Sequence, residues 1–183
     1  SKLHVLAFLI TVLIILSACT TKILAGLEDE TSWIFDPKEY EEVDKLDAKY
    51  ENGKLYFYSE DNSAWWPEKG EADVIALTEE MFYLTPDKKL CFSWTAYSDD
   101  FDQGDSNTYI EIGLYDGEKI YPVFAKEITQ PFEKKESNEE CIPLKDIISE
   151  SGYYYIYIYV YWYFDVNGAW NTERFTWYID NIE

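Results

Sequence analysis

The run from Ser98 to Asn107 alternates Asp100, Asp102 and Asp105 with other residues around Gly104, a spacing of oxygens and a tight turn that suit a hard divalent cation such as calcium. It has neither the Asp-x-Asp-x-Asp-Gly order of an EF-hand nor a Glu at the twelfth position, and a solvated acidic loop is the simpler explanation. A second kind of chemistry is offered by indoles. Trp65 and Trp66 lie in the Ser63–Pro67 stretch, and Trp170 lies between Asp165 and Thr172 beside Asn171. A flat aromatic ring next to amides and carboxylates packs on the apolar side of a pyranose and takes its hydroxyls. Tyr97 is a further ring of this kind. Cys91 and Cys141 either pair or remain as buried thiols. Paired, they would close a loop of about 50 residues and contribute about 3 to 4 kcal/mol.

Catalysis is harder to find. The chain has a single histidine, His4, inside its N-terminal apolar run, and a single arginine, Arg174. Without a histidine in the body of the chain, Ser-His-Asp and Cys-His nucleophiles and His-ligated zinc are excluded there. A glycosidase needs only two carboxylates at a suitable separation, but with 36 acidic residues some pair always qualifies, so no catalytic pair is marked. We expect a protein that is not an enzyme.

The elements that must position these residues are strands. After Trp33, short aromatic and β-branched segments recur: Lys54–Ser59, Asp73–Leu77, Met81–Leu84, Lys89–Tyr97, Asn107–Tyr115, Lys119–Phe124, Glu140–Leu144, Tyr153–Phe164 and Arg174–Ile182. Asn52-Gly53, Pro86-Asp87, Asp116-Gly117 and Asn167-Gly168 punctuate them, and Asp116-Gly117 is the strongest hairpin signal. Helical periodicity shows only over Lys38–Leu46 and Leu144–Ser149, each two turns at most. About nine short strands with regular turns predict an all-β chain folded as an antiparallel sandwich.

The Tyr153–Phe164 segment carries the most information. Strand alternation puts Tyr154, Ile156, Ile158, Val160, Trp162 and Phe164 on one face and six tyrosines, Tyr153 to Tyr163 at every second position, on the other. The first set is a core face. The tyrosine set either packs under a covering segment or forms a half-wet surface for sugar or protein, including another copy of the chain.

Composition narrows the partners. Fifteen Lys and Arg against 36 Asp and Glu leave a charge of −21, which excludes nucleic acid as a partner and disfavours an anionic membrane surface. With 47% of residues hydrophobic and 19% aromatic, the chain is also far from disordered composition.

The N-terminus has its own logic. Lys2 precedes an apolar run, Leu3–Leu16, shorter than the ~20 residues of a membrane-spanning helix, and the run ends in Leu16, Ser17, Ala18 and Cys19. This exit resembles the lipobox of bacterial lipoproteins. The resemblance implies a signal peptide over residues 1–18, lipidation of Cys19, a short tether over 19–32 and a domain from 33 to 183 held at the extracytoplasmic side of the cell envelope. A retained helix, as in pilin-like filament subunits, is the alternative. It would make the chain a structural subunit of a filament or surface layer.

The last segment, Phe175 to Ile182, closes on Tyr-Ile-Asp-Asn-Ile after a long aromatic strand, and Leu84-Thr85-Pro86 precedes Leu90, Phe92, Trp94 and Ala96. This order resembles the galactose-binding-like jelly rolls that include many carbohydrate-binding modules. The resemblance implies a jelly-roll sandwich binding a glycan or another extracellular ligand without chemistry. It also implies a structural calcium near the first and last strands, held by Asp180 with Asp36 as a partner.

Overall fold

The computed structural model describes residues 31–63, 68–98, 106–129, 133–166 and 171–183. Its elements, in chain order, are β1 (Trp33–Glu41), β2 (Lys45–Glu51), β3 (Lys54–Ser63), β4 (Glu68–Thr78), β5 (Phe82–Leu84), β6 (Lys89–Ser98), β7 (Asn107–Tyr115), β8 (Ile120–Thr129), β9 (Lys134–Glu136), β10 (Glu140–Pro143), a 3-10 turn (Leu144–Asp146), β11 (Gly152–Val166) and β12 (Asn171–Asp180). They form two six-stranded sheets, all of whose pairings are antiparallel. The first runs β1-β4-β11-β7-β8, with β5 extending the line of β4 along β11. The second runs β10-β6-β12-β3-β2, with β9 on β6. The chain crosses repeatedly between sheets, as the expected jelly-roll sandwich requires.

Period-2 alternation explains how the sheets face each other. Tyr154, Ile156, Ile158, Val160, Trp162 and Phe164 of β11 are buried, as are Ile110, Ile112 and Leu114 of β7 and Ala72, Val74 and Ala76 of β4. The second sheet meets them with Leu55 and Phe57, Phe92, Trp94 and Ala96, and Phe175, Trp177 and Ile179. Burying each of the larger side chains contributes about 1.5 to 3 kcal/mol. Polar links also cross the core: Trp177 Nε1 donates to Thr108 Oγ1 at 2.8 Å, and that hydroxyl donates to the Tyr161 carbonyl at 3.0 Å, while Ser106 Oγ donates to Glu173 and accepts from the Asp165 amide.

Two turn signals are read out directly. Asn52 and Gly53 take positive φ, 52° and 77°, in a two-residue hairpin that pairs Glu51 with Lys54. Gly117 has φ 99°, and Asp116 Oδ1 accepts from the amides of Glu118 and Lys119 at 2.8 and 2.7 Å, closing the β7–β8 hairpin. The Asn167-Gly168 signal lies outside the described residues.

Three strands were not visible in the sequence: β1, β2 and β9. The helical reading of Lys38–Leu46 is corrected, because this stretch is the end of β1, a crossing through buried Val43 and the start of β2. β1 and β2 are edge strands. From Phe35 inward β1 presents charged residues and Pro37 to solvent, so the alternation that marks a strand is missing there. Of the Leu144–Ser149 signal, only the 3-10 turn at Leu144–Asp146 forms.

Candidate functional site

Each sheet has an outer face, and both are rich in tyrosine. On the second sheet, β6, β12 and β3 lie side by side, and the register sets Tyr97 opposite Thr176, Tyr178 between Thr95 and Tyr56, and Tyr58 opposite Thr176 from the other side. The rings form a continuous track across three strands. Centroids are 5.9 Å apart for Tyr97–Tyr178, 5.4 Å for Tyr178–Tyr56 and 6.2 Å for Tyr56–Tyr58, the last pair stacked at 8°. Tyr97 is 40% exposed, and Tyr56, Tyr58 and Tyr178 are half-buried.

Charges border the track in pairs. Lys134, Lys49 and Lys45 lie 5.8, 5.5 and 5.9 Å over the rings of Tyr97, Tyr56 and Tyr58. Lys134 also reaches Glu136 at 2.6 Å, Lys49 reaches Glu51 at 2.8 Å, and Arg174 Nε reaches Glu60 Oε2 at 2.9 Å. The Tyr58 hydroxyl donates to the same Glu60 oxygen. Burial, then that bond, pushes the Tyr58 hydroxyl well above the ordinary tyrosine range. Burial alone would raise Glu60, but the bonds from Tyr58 and Arg174 outweigh it and hold the carboxyl below its usual value. Glu60 therefore stays an anion with fixed partners. Among the described residues, Tyr56 and Tyr97 make ring and lysine contacts, and Tyr178 packs against both of their rings.

The outer face of the first sheet is organised differently. The odd-numbered tyrosines of β11 stand there as expected, flanked by Tyr109 and Tyr115 of β7 and Tyr40 of β1. Tyr40 and Tyr159 donate to Asp73 Oδ2 at 2.6 and 3.2 Å, Tyr109 donates to Glu111 Oε2 at 2.7 Å, and Tyr157 donates to Glu111 Oε1. Tyr161 bonds Glu71. Although it points outward, Tyr157 is only 4% exposed, because its ring lies over Gly113. A Cβ at Gly113 would meet Tyr157 Cε1 at 2.5 Å and the Tyr121 carbonyl at 2.6 Å. Burial first, and these carboxylates second, push the hydroxyls of Tyr109 and Tyr161 up to about 12 and raise those of Tyr157 and Tyr159 further.

The residues singled out from the sequence are distributed as follows. Tyr97 is on the second-sheet track. Asn171 opens β12, its backbone paired with Ser63 of β3, so the strand ends that flank 64–67 and 167–170 are neighbours. Trp65, Trp66 and Trp170 themselves, with Asp100, Asp102, Asp105 and Cys19, lie outside the described residues. Cys91 and Cys141 form a disulfide across paired positions of β6 and β10, with Cα atoms 4.1 Å apart. Asp36 and Asp180 are not brought together. Asp36 is exposed on the outer face of the first sheet opposite Ile75, whereas Asp180 lies on the outer face of the second and pairs with Lys54 at 2.8 Å. Tyr56, Tyr58, Tyr178, Glu60 and Arg174 were missed as a site. Alternation in Lys54–Ser59 already put Tyr56 and Tyr58 on one face, but nothing local says that Tyr178 and Tyr97 lie beside them.

No protein-family model and no curated protein sequence matches the chain. Among solved structures it is similar to the Spr0440 glycoside hydrolase domain, Endo-D, from Streptococcus pneumoniae R6, with 15% identity over 82% of this chain and a TM-score of 0.39; the chain spans 22% of that structure. It is also similar to the N-terminal cellulose-binding domain of Cellulomonas fimi β-1,4-glucanase C, with 13% identity over 82% of this chain and 86% of that one and a TM-score of 0.37. A third is the family 11 carbohydrate-binding module from Clostridium thermocellum, with 12% identity over 86% of this chain and 92% of that one and a TM-score of 0.34.

Proposed function

We propose that this chain is a non-catalytic glycan-binding module that takes a neutral glycan along the outer face of its second sheet. The observation that carries this reading is the Tyr97–Tyr178–Tyr56–Tyr58 track, with ring spacings of 5.4 to 6.2 Å. Rings in sequence offer apolar surface to successive sugar units, and their hydroxyls, with Arg174, Glu60 and the bordering lysines, supply donors and acceptors for sugar hydroxyls. Lys49, Lys134 and Arg174 each have an acid beside them, so the face favours no strong charge on the ligand. The site sits on strands rather than on loops, which fixes the rings before a ligand arrives and lowers the ordering cost of binding. The lipobox residues Leu16–Cys19 support a lipid anchor that would hold this module at the cell envelope.

The test is calorimetric titration with a panel of soluble neutral oligosaccharides, followed by Tyr97→Ala and Tyr178→Ala with Tyr115→Ala as a control on the opposite face. We expect one glycan class to bind, affinity to fall about tenfold or more for each of the first two variants, and the control to bind as the parent does. Failure of the whole panel, or equal binding by all three variants, would overturn the reading.

A further inference from the structure

The outer face of the first sheet has no role in that reading, and its chemistry is distinct. By register it gathers Asp36, Glu71, Asp73, Glu111, Glu127 and Asp165, against Lys38 and Lys69. Both lysines already sit over tyrosine rings, Lys38 at 4.6 Å from the centroid of Tyr40 and Lys69 at 5.9 Å from that of Tyr163. Tyr40 and Tyr159 donate to Asp73, and Tyr109 to Glu111, an arrangement that leaves each of these accessible rings richer in electron density and a better seat for a cation. Beside these rings, Ile34 and Ile75 are 52% and 43% exposed on paired strands, two large aliphatic side chains in an otherwise acidic surface.

We infer that this face is a docking surface for a basic segment of another protein, one that alternates Lys or Arg with aliphatic side chains. The cations would settle on the half-buried rings of Tyr159 and Tyr161, between the carboxylates, and the aliphatic side chains would cover Ile34 and Ile75. Charge selects against a second copy of this chain: two molecules of charge −21 repel, and Lys49, Lys54, Lys134 and Arg174 of the second-sheet face already have Glu51, Asp180, Glu136 and Glu60 beside them. The aliphatic pair selects against a purely hydrophilic polycation.

The test uses isotope-labelled protein and three synthetic peptides of equal length: alternating Lys and Val, all Lys, and alternating Glu and Val. Amide shifts are followed at low and at moderate salt. The Lys/Val peptide should bind several-fold more tightly than the all-Lys peptide, weaken with salt, and perturb Ile34, Ile75, Glu111 and Tyr159 and their neighbours. The Glu/Val peptide should not bind. Asp36→Asn and Ile34→Ser, both at exposed positions that the fold does not need, should each weaken binding several-fold, while Glu60→Gln on the other face should leave it unchanged. Perturbations spread over the whole acidic surface, shifts centred on the second sheet, equal binding of the all-Lys peptide, or no binding would each overturn the proposal.

Discussion

Tyr157, outward on the first sheet, is 4% exposed and gives its hydroxyl to Glu111, whereas Tyr97, outward on the second, is 40% exposed and lies between the Tyr178 ring and Lys134. The two residues mark two ways of building a tyrosine-rich sheet face. On the first sheet, phenols and carboxylates close on one another and leave an acidic layer. On the second, rings meet rings, and Glu51, Glu60, Glu136 and Asp180 each meet a cation. The same side chain thus makes a hydrogen-bonded layer in one place and an open platform in the other. The neighbouring strands decide which: β7 and β4 bring Glu111, Glu71 and Asp73 to β11, while β2 brings Lys45 and Lys49 to β3.

The contrast can be broken at several points. The largest effect should come from the second sheet, whose edge is stapled by Cys91–Cys141. Replacing both cysteines by serine should lower stability by about 4 kcal/mol in denaturant titration and speed hydrogen exchange in β10 before the strands of the first sheet. A loss below about 1 kcal/mol would mean that strand pairing alone holds that edge.

Gly113→Ala should follow. The new methyl meets a backbone carbonyl as well as the Tyr157 ring, so a loss of about 1 to 3 kcal/mol is expected by calorimetric melting, against almost none for Thr176→Ala on the other face. If Gly113→Ala is neutral, Tyr157 can swing outward and the first face is looser than its burial implies.

Tyr157→Phe removes one donor from Glu111 and should cost about 1 to 2 kcal/mol, whereas Tyr56→Phe should stay within about 0.5 kcal/mol. Equal losses would erase the distinction between the faces.

Alkaline pH offers a test without mutation. The Tyr109 and Tyr161 hydroxyls are raised to about 12 in the folded chain against roughly 10 when unfolded, so the native state holds its protons more tightly. Their contribution is fully present below about pH 10 and is lost as pH rises toward 12. Tyrosine absorbance should titrate late, and Glu111→Gln should bring Tyr109 part of the way back, since burial remains the larger cause. An unchanged titration in that variant would sink the carboxylate's role. Arg174→Gln should change stability by no more than about 1 kcal/mol, because the arginine is 39% exposed and Glu60 keeps the Tyr58 hydroxyl, although glycan affinity should fall with it.

Local signals read well in the sequence when each residue's own conformation or strand period carried them. The β11 alternation, the Asn52-Gly53 and Asp116-Gly117 hairpins and the segment Asn107–Tyr115 all reappear in the structure. The edge strands β8 and β10 were also legible, but β1 and β2 were not: β1 is exposed from Asp36 onward, and β2 sets only Leu46, Ala48 and Tyr50 against the core between charged residues. The tyrosine track was half legible. Tyr97 stood out as a ring beside a loop, and Tyr56 and Tyr58 shared a strand face, but their union with Tyr178 depends on β12 inserting between β6 and β3.

By itself, the sequence determined what alternation, turn chemistry and composition determine: an antiparallel all-β sandwich, a core face on β11 and an acidic surface unsuited to polyanions. Only the tertiary structure decided which tyrosines meet carboxylates and which meet other rings. It also set Asp36 and Asp180 on opposite outer faces and brought Tyr157 to Glu111 from 46 residues away. The reason is that a strand's period assigns each side chain to a face through bonds between near neighbours, while the partner across that face is chosen by sheet order and register, which no single segment encodes.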